Sequence, residues 1–342
     1  MRALVDGLRT LCRSLRLIPV LFAANLALAA LLAVPLGLAL ERDLRNTDAA
    51  ARMTSGFDYD WWSEWSQRQT GYARHLSPEL LGLGFAAKNL ELLIKGHLPL
   101  GLFAGIVANG PRTPGAPDRS LDPLVLGLGL VSWLVQLCLT GGVLGVFRAP
   151  QGRFTMRGLL HGAGFYAGRL IRVGLLALLA AGFAFVLWAP VSRFAERLAK
   201  EAVSETTALA FSFARYGLLL LALGFVHMAS SYAKVILVVE DRESALLALL
   251  SGVALAMRNL GSAVTQYLGV AVVGGGLLAL FGLIDSVFEP TGFRTGLVFF
   301  LGAEAFVASR IGLRLWLLAS QVALHRRASA ALPSFVTDEG MR

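Results

Sequence analysis

The sequence predicts an all-α integral membrane protein, with six transmembrane helices and three cytoplasmic interfacial amphipathic helices. Three observations carry this reading. Of 342 residues, 56% are hydrophobic and 15% charged, where soluble domains carry about 25% charged residues, and the mean hydropathy is +0.65. Several apolar runs reach the roughly 20 residues that a helix needs to cross ~30 Å of hydrocarbon, and no ~10-residue alternating segments suggest a barrel. Finally, amphipathic segments recur ahead of alternate spans, so the chain reads as three units of one interfacial helix plus two spans.

Residues 1–16 set Arg2, Asp6, Arg9, Arg13 and Arg16 at spacings of four and three, with Leu4, Val5, Leu8, Leu11, Cys12 and Leu15 between them. This is the pattern of an amphipathic helix lying in the interface. The apolar run that follows, 17–40, is longer than the 7–15 residues of a signal peptide and lacks a small-x-small cleavage site, so it reads as a retained first span. Residues 41–122 form an extramembrane region with nine basic and ten acidic residues. Within it Glu64 and Arg68 have helical spacing, 78–94 reads as a helix, and the apolar 97–109 is too short to span and is interfacial or re-entrant.

The remaining spans are 123–147, 170–190, 211–239, 262–287 and 295–321. Between them lie a basic amphipathic segment at 148–169, a charge-balanced loop at 191–210, an amphipathic helix at 240–261 and a short loop at 288–294; a tail covers 322–342. Arg148, Arg153, Arg157, Arg169 and Arg172 occur without an acid, and residues 1–16 carry four Arg against one Asp. The positive-inside rule puts both segments in the cytoplasm, and six spans then put both termini there, in the inner membrane of a bacterium.

In the third amphipathic helix Leu246, Leu249, Leu250, Val253, Met257 and Leu260 share a face, with Arg242, Ser251, Arg258 and Asn259 largely opposite. Asp241 and Glu243 suit its start, and Asn259 with Gly261 its end. Segments 142–173 and 232–263 superpose at an offset of 90 residues, pairing Leu159-Leu160-His161-Gly162 with Leu249-Leu250-Ser251-Gly252.

Four polar residues share a depth near the middle of their spans: Gln136, His227, Glu304 and Arg310. Charges at the bilayer centre cost about 2.5–3.5 kcal/mol on insertion scales and normally pair inside a bundle. Glu304 and Arg310 lie six residues apart, roughly 240° around one helix, so each needs a partner from another span, with His227 and Gln136 the candidates. A structural polar clamp is the first reading of this level and a substrate or proton pathway the second.

Neither a catalytic nor a metal motif is present. His75, His97, His161, His227 and His325 form no HExxH spacing, Cys12 and Cys138 are unpaired in pattern, and GxSxG and Walker A runs are absent. No cofactor is expected. Asp58, Asp60 and Glu64 offer oxygen ligands, but they interleave with Trp61, Trp62 and Trp65, whose expected role is anchoring at the outer headgroups. Partners are the lipid bilayer, anionic headgroups at Arg153 and Arg157, and a membrane or cytoplasmic protein docking at Glu240, Asp241 and Arg242. The acidic turn also suits pairing with the Arg-rich 148–172 segment of the same chain. Nucleic acid is not expected, because the basic patch sits between two spans. The EAA-x3-G signature of ATP-driven permeases is missing, since Glu243 stands nine residues before Gly252.

The runs GFDYDWWSEW (56–65), SPELLGLGFAAKNLELLIKG (77–96), LTGGVLGVFR (139–148) and YAKVILVVEDRESALLAL (232–249), with Ala319-Ser320-Gln321, resemble a group of uncharacterised six-span bacterial membrane proteins. More distantly the chain is similar to the membrane domain attached to some glycerophosphodiester phosphodiesterases. Gly145-Val146-Phe147-Arg148 stands where the group has an Asp-Arg-Tyr-like run, and the Pro-rich stretch 110–123 reads as an insertion. The resemblance implies the six-span fold and no activity. The function expected is a scaffold or accessory membrane module without catalytic machinery, the alternative being a small-solute or lipid-related transporter.

Overall fold

A computed structural model of the chain describes residues 2–45, 47–55, 58–69, 123–149, 154–202, 204–287 and 293–330. Among these every regular element is a helix, in the order α1 (Arg2–Arg13), α2 (Leu17–Leu44), α3 (Ala49–Ser55), α4 (Tyr59–Arg68), α5 (Pro123–Arg148), α6 (Met156–Glu201), α7 (Glu205–Val239), α8 (Ala245–Arg258), α9 (Leu260–Val287) and α10 (Phe293–Ala330). Six of them, α2, α5, α6, α7, α9 and α10, contain apolar stretches long enough to cross a membrane. The protein is an all-α membrane protein. The helix expected at 78–94, the apolar segment 97–109, most of the loop at 288–294 and residues 331–342 lie outside the described residues.

Several boundaries differ from the sequence reading: α2 runs on to Leu44 and α10 to Ala330, and the largest changes are in α6. The basic amphipathic segment and the third span form a single helix, α6, 46 residues long, started by Thr155, whose hydroxyl accepts from the Gly158 amide at 3.2 Å. Nothing between Tyr166 and Leu176 breaks it, whereas Asn259 separates α8 from α9 in a non-helical conformation. The same helix continues past Pro190 to Glu201, so the expected 191–210 loop narrows to the residues between Glu201 and Glu205. Glu196 and Lys200 stand at a helix-supporting spacing there, and Glu196 also receives Arg215 Nη1 of α7 at 2.7 Å.

The chain divides into two compact units. Unit 2 holds residues 23–133 and 278–307. In it Trp62 and Trp65 are buried against Leu36, Ala39 and Leu40 of α2, with Trp61 packed beside them. The Trp65 indole donates to Asp43 Oδ2 at 2.7 Å. Two members of the tryptophan cluster thus form a local core, their rings finding an apolar surface on the protein itself.

Unit 1 comprises residues 1–22, 134–277 and 308–342. Its core is the end of α7: Tyr232, Ala233, Val235, Ile236, Leu237 and Val238 are at most 2% exposed. Around them pack Val143, Leu144 and Phe147 of α5, Leu159, Leu170 and Val173 of α6, and Leu315, Ala319 and Val322 of α10.

Three amphipathic segments close on this core in the same way. On α8 the seated face is Ala245, Ala248, Gly252 and Ala256; a Cβ on Gly252 would lie 2.6 Å from the Ala229 carbonyl oxygen and 2.8 Å from the Ala233 nitrogen of α7. The first turns of α6 seat Leu159, Gly162, Ala163 and Tyr166, and a Cβ on Gly162 would lie 3.1 Å from the Cα of Gly142 in α5. On α1 the seated residues are Ala3, Leu4, Gly7 and Leu11, with Gly7 against Ser320 of α10, whose nitrogen would be 2.6 Å from an added Cβ. Small residues admit such approach where hydrocarbon surrounds the helices and hydropathy no longer sorts inside from outside. Val5, Leu8, Leu160, Phe165, Leu246, Leu250 and Met257 point outward and are exposed. Each glycine-seated segment rests on the helix before it in the chain, and α1 on the last helix closes the set.

Candidate functional site

The end of α7 turns on Asp241, which adopts φ 55°. The Arg242 amide donates back to the Leu237 carbonyl at 3.0 Å and the Glu240 amide to Ile236 at 2.9 Å. This is a Schellman closure, in which the left-handed position usually belongs to glycine; aspartate is among the few other residues that visit it. Here the side chain has a use that glycine lacks. Arg169 Nη1 of α6 donates to Asp241 Oδ1 at 2.7 Å, Arg148 Nη1 of α5 lies 4.0 Å from Oδ2, and Arg169 Nη2 lies 3.9 Å from Glu243.

The neighbouring side chains extend this hub. Glu240 faces His325 Nε2 of α10 at 3.2 Å and pairs with Arg242. Arg242 Nη1 donates to Ser251 Oγ of α8 at 2.7 Å. Arg326 Nη2 donates to the carbonyls of Phe147 and Arg148 at 2.8 and 2.9 Å, filling acceptors left open at the end of α5. Arg148 Nη1 donates to the Tyr166 hydroxyl at 2.8 Å, and Arg169 lies 5.1 Å above the Phe165 ring. The hub ties α5, α6, α7, α8 and α10 together at one end of unit 1. Ser244 caps α8, accepting from the Leu247 amide at 3.3 Å, so Asp241 is an ion-pair partner here instead of the helix start that the sequence implied.

The acidic turn does meet the Arg-rich segment, through Arg148 and Arg169. Arg157 is exposed on α6 and makes none of these contacts; Arg153 lies outside the described residues.

Beneath the hub lies a buried polar network that sequence reasoning missed. Ser231 Oγ donates to Gln321 Oε1 at 2.7 Å, and Gln321 Nε2 donates to the Tyr267 hydroxyl at 3.2 Å. Tyr232 donates its hydroxyl proton to Gln266 Oε1 at 3.0 Å, and Gln266 Nε2 donates to the Ser320 carbonyl at 3.1 Å. Gln266, Ser320 and Gln321 are at most 1% exposed. The Trp316 indole continues the pattern to α1, donating to the Leu4 carbonyl at 2.9 Å. The one available signal was that Tyr232 and Ser320-Gln321 fall inside runs singled out in the sequence.

Of the four polar residues assigned to one level, Gln136 and His227 have described partners in unit 1. Gln136 accepts from Arg314 Nη1, and Arg314 Nη2 donates to Thr140 Oγ1 at 3.3 Å. His227 sets its ring edge-on to Tyr267 at 5.9 Å, and Ser230 donates to the His227 carbonyl of its own helix at 2.9 Å. Glu304 belongs to unit 2 and Arg310 to unit 1. The residue that joins Gln136 is Arg314, one turn along from Arg310.

In unit 2 the acidic cluster is occupied by local structure. Asp58 Oδ1 accepts from the Trp61 amide at 3.0 Å as the cap of α4, and Oδ2 receives Arg52 Nε at 2.7 Å. That amide first, and Arg52 after it, hold the Asp58 carboxyl below its ordinary value. Glu64 pairs with Arg68 at 3.3 Å. Among the described residues no three His, Cys, Asp or Glu side chains converge on a metal-sized site.

The hub makes a testable separation of turn geometry from charge. Asp241→Gly and Asp241→Ala both remove the ion pairs, but the Ala variant keeps a Cβ in the left-handed conformation, at about 1–2 kcal/mol, while the Gly variant is freed of it. Thermal unfolding in detergent is expected to rank the Gly variant above the Ala variant. Equal midpoints for the two variants would show that the turn is not held at positive φ.

Compared with protein-family models, curated proteins and solved structures, the chain has no match.

Proposed function

We propose that this is a multi-pass protein of a bacterial cytoplasmic membrane, with both termini in the cytoplasm, serving as a non-catalytic scaffold or accessory module. One observation carries the reading: three glycine-seated helices at one end of unit 1 turn large apolar side chains outward, while the polar groups behind them are engaged in holding helices together. Such an end lies in the membrane interface and presents a fixed, charged surface to a membrane or cytoplasmic protein. The absence of acid from 148–172 supports orienting that end inward. The proposed kinship with the six-span bacterial group fits this picture, because Tyr232–Val238, Gly141-Gly142 and Ser320-Gln321 are packing and network residues in this fold.

A transporter instead needs a watered path through the polar level. A cavity in unit 2 is lined by Phe281, Ile284, Arg294, Thr295, Val298, Phe299 and Gly302, and holds none of the four polar candidates. Cysteine labelling tests both the scaffold and the orientation, in a Cys12→Ser/Cys138→Ala background. A membrane-impermeant maleimide added to intact spheroplasts is expected to spare Arg157→Cys and to label it once the membrane is opened. Ser230→Cys, at a position 4% exposed, is expected to stay unlabelled in both cases, as is Ser309→Cys. Labelling of Ser230→Cys in the native membrane would overturn the scaffold in favour of transport.

A further inference from the structure

Helix α1 divides into three strips, and one of them is a row of cations. With about 100° between successive residues, Ala3, Leu4, Gly7 and Leu11 form the strip seated on the protein. Val5, Leu8 and Cys12 form a second strip, about 120° around the helix from the first, and all three are exposed. Arg2, Arg9 and Arg13 form a third, about 90° beyond the second, and they too are exposed, as is Arg16 in the turn that follows. Asp6, the one acid of the helix, is already engaged by Arg327 of α10, with Arg9 Nη1 3.9 Å away. Among the described residues Arg2 and Arg13 have no acid within ion-pairing distance.

The chain itself sets where these strips lie. Only Ser14, Leu15 and Arg16 separate α1 from Leu17, where a 28-residue apolar helix begins. Three residues reach about 11 Å at most, so the end of α1 stays beside the end of that span, and the contacts of Gly7 with Ser320 and of Leu4 with the Trp316 indole keep the rest of it on α10. In a helix at that surface, Val5 and Leu8 turned away from the protein meet hydrocarbon, and a strip at right angles to them meets the headgroups beside the helix. Guanidinium forks are the donors that hold phosphate oxygens in pairs. An acidic protein docking from the water side would instead meet the side opposite Val5 and Leu8, and that side carries Ala3 and Thr10, not arginine.

We propose that α1 binds the headgroups of anionic phospholipids through Arg2, Arg9 and Arg13, with Val5 and Leu8 inserted among the acyl chains. This rests on the reading that this end of unit 1 lies in the membrane interface, and adds to it the class of lipid that the interface selects. The arginines form an open row without an enclosing cavity, so the selection is for negative charge and not for one headgroup shape.

The test joins native mass spectrometry of the full chain, in detergent micelles supplied with phosphatidylglycerol or phosphatidylcholine, to a nitroxide placed on the exposed Cys12 in a Cys138→Ala background and read in liposomes. The wild type is expected to retain phosphatidylglycerol in preference to phosphatidylcholine. Arg2→Gln and Arg13→Gln are each expected to reduce that retention by about fivefold, the factor for one basic residue at an anionic lipid surface. Arg193→Gln/Arg197→Gln, which removes two exposed arginines at the far end of α6, leaves it unchanged. A single symmetric peak in size-exclusion chromatography establishes which variants qualify. Undiminished phosphatidylglycerol retention by folded Arg2→Gln/Arg13→Gln would overturn the site, as would an equal fall in Arg193→Gln/Arg197→Gln. Equal retention of phosphatidylcholine by the wild type would overturn it whatever the variants do. The nitroxide is expected to be relaxed more by oxygen than by a water-soluble nickel chelate. If it is so relaxed and phosphatidylglycerol is not preferred, the lipid proposal alone fails; if the chelate relaxes it more and phosphatidylglycerol is not preferred, α1 lies in water and the interface reading fails with it.

Discussion

Gly252→Ala is expected to destabilise the folded protein by about 1–3 kcal/mol, the range for forcing a methyl into a filled interior. The atoms a new Cβ would meet are the Ala229 carbonyl oxygen at 2.6 Å and the Ala233 nitrogen at 2.8 Å. Both are backbone atoms of α7, next to the most buried stretch of the chain, and neither can rotate away as a side chain would. To admit the methyl, α8 must lift from its seat, which pulls Ser251 from Arg242 and loosens the hub as well. Gly164→Ala is the control: it lies in α6 with nothing within 4 Å of the added Cβ, and in a helix interior the change from glycine gains up to about 1 kcal/mol. Thermal unfolding followed by size-exclusion chromatography in detergent should therefore lower the Gly252→Ala midpoint and hold or raise that of Gly164→Ala. Equal midpoints for the two would mean that α8 is not seated as described.

The contrast between those glycines shows what could and could not be read from the sequence. The spans and the amphipathic segments stood out because length and periodicity report them directly, and the 90-residue offset aligned Gly162 with Gly252, which have the same packing role. Which face of α8 touches protein was not legible. The leucine face at Leu246 and Leu250 carries most of the hydrophobicity, and in a soluble protein it would be the inside. In a membrane both sides of the helix are apolar, so side-chain size decides the contact, and the small stripe Ala245, Ala248, Gly252 and Ala256 wins.

The partners of the acidic turn were legible by segment but not by residue. Arg169 stands seven residues after Gly162, within about 20° of the seated face, whereas Arg157, five residues before it, is about 140° away. Helical phase thus selects Arg169 for Asp241, but only once the seat is known. The turn itself carried no glycine to announce its left-handed residue. Depth counting placed Gln136 near a cationic position on the last span and selected Arg310, one turn from Arg314, since spacing along one helix cannot fix its register against another. Gln266 and Gln321 passed unnoticed for a related reason: near span ends, hydropathy treats an amide as interfacial, and only the fold shows that these are enclosed.

Gln321→Leu is expected to be the most costly substitution in that buried network. It leaves the Ser231 hydroxyl without its acceptor and takes a donor from the Tyr267 hydroxyl, at a site where Gln321 is 0% exposed. A buried polar group deprived of its partner costs about 1–3 kcal/mol in water-soluble proteins. Helix pairs in membranes average nearer ~0.6 kcal/mol, with a maximum of ~1.7, because the unfolded helices also find partners in the bilayer. Two groups lose a partner here, so a total of roughly 1–3 kcal/mol follows from those membrane values. Ser231→Ala alone frees one amide oxygen and is expected to cost less. In the double variant Ser231→Ala/Gln321→Leu the serine no longer presents an orphaned donor, so the loss falls below the sum of the two single losses. Tyr232→Phe acts on the neighbouring Gln266 branch of the same network, so it too is expected to couple to Gln321→Leu. Strict additivity between Ser231→Ala and Gln321→Leu in detergent unfolding would show that α7 and α10 are not joined through this bond.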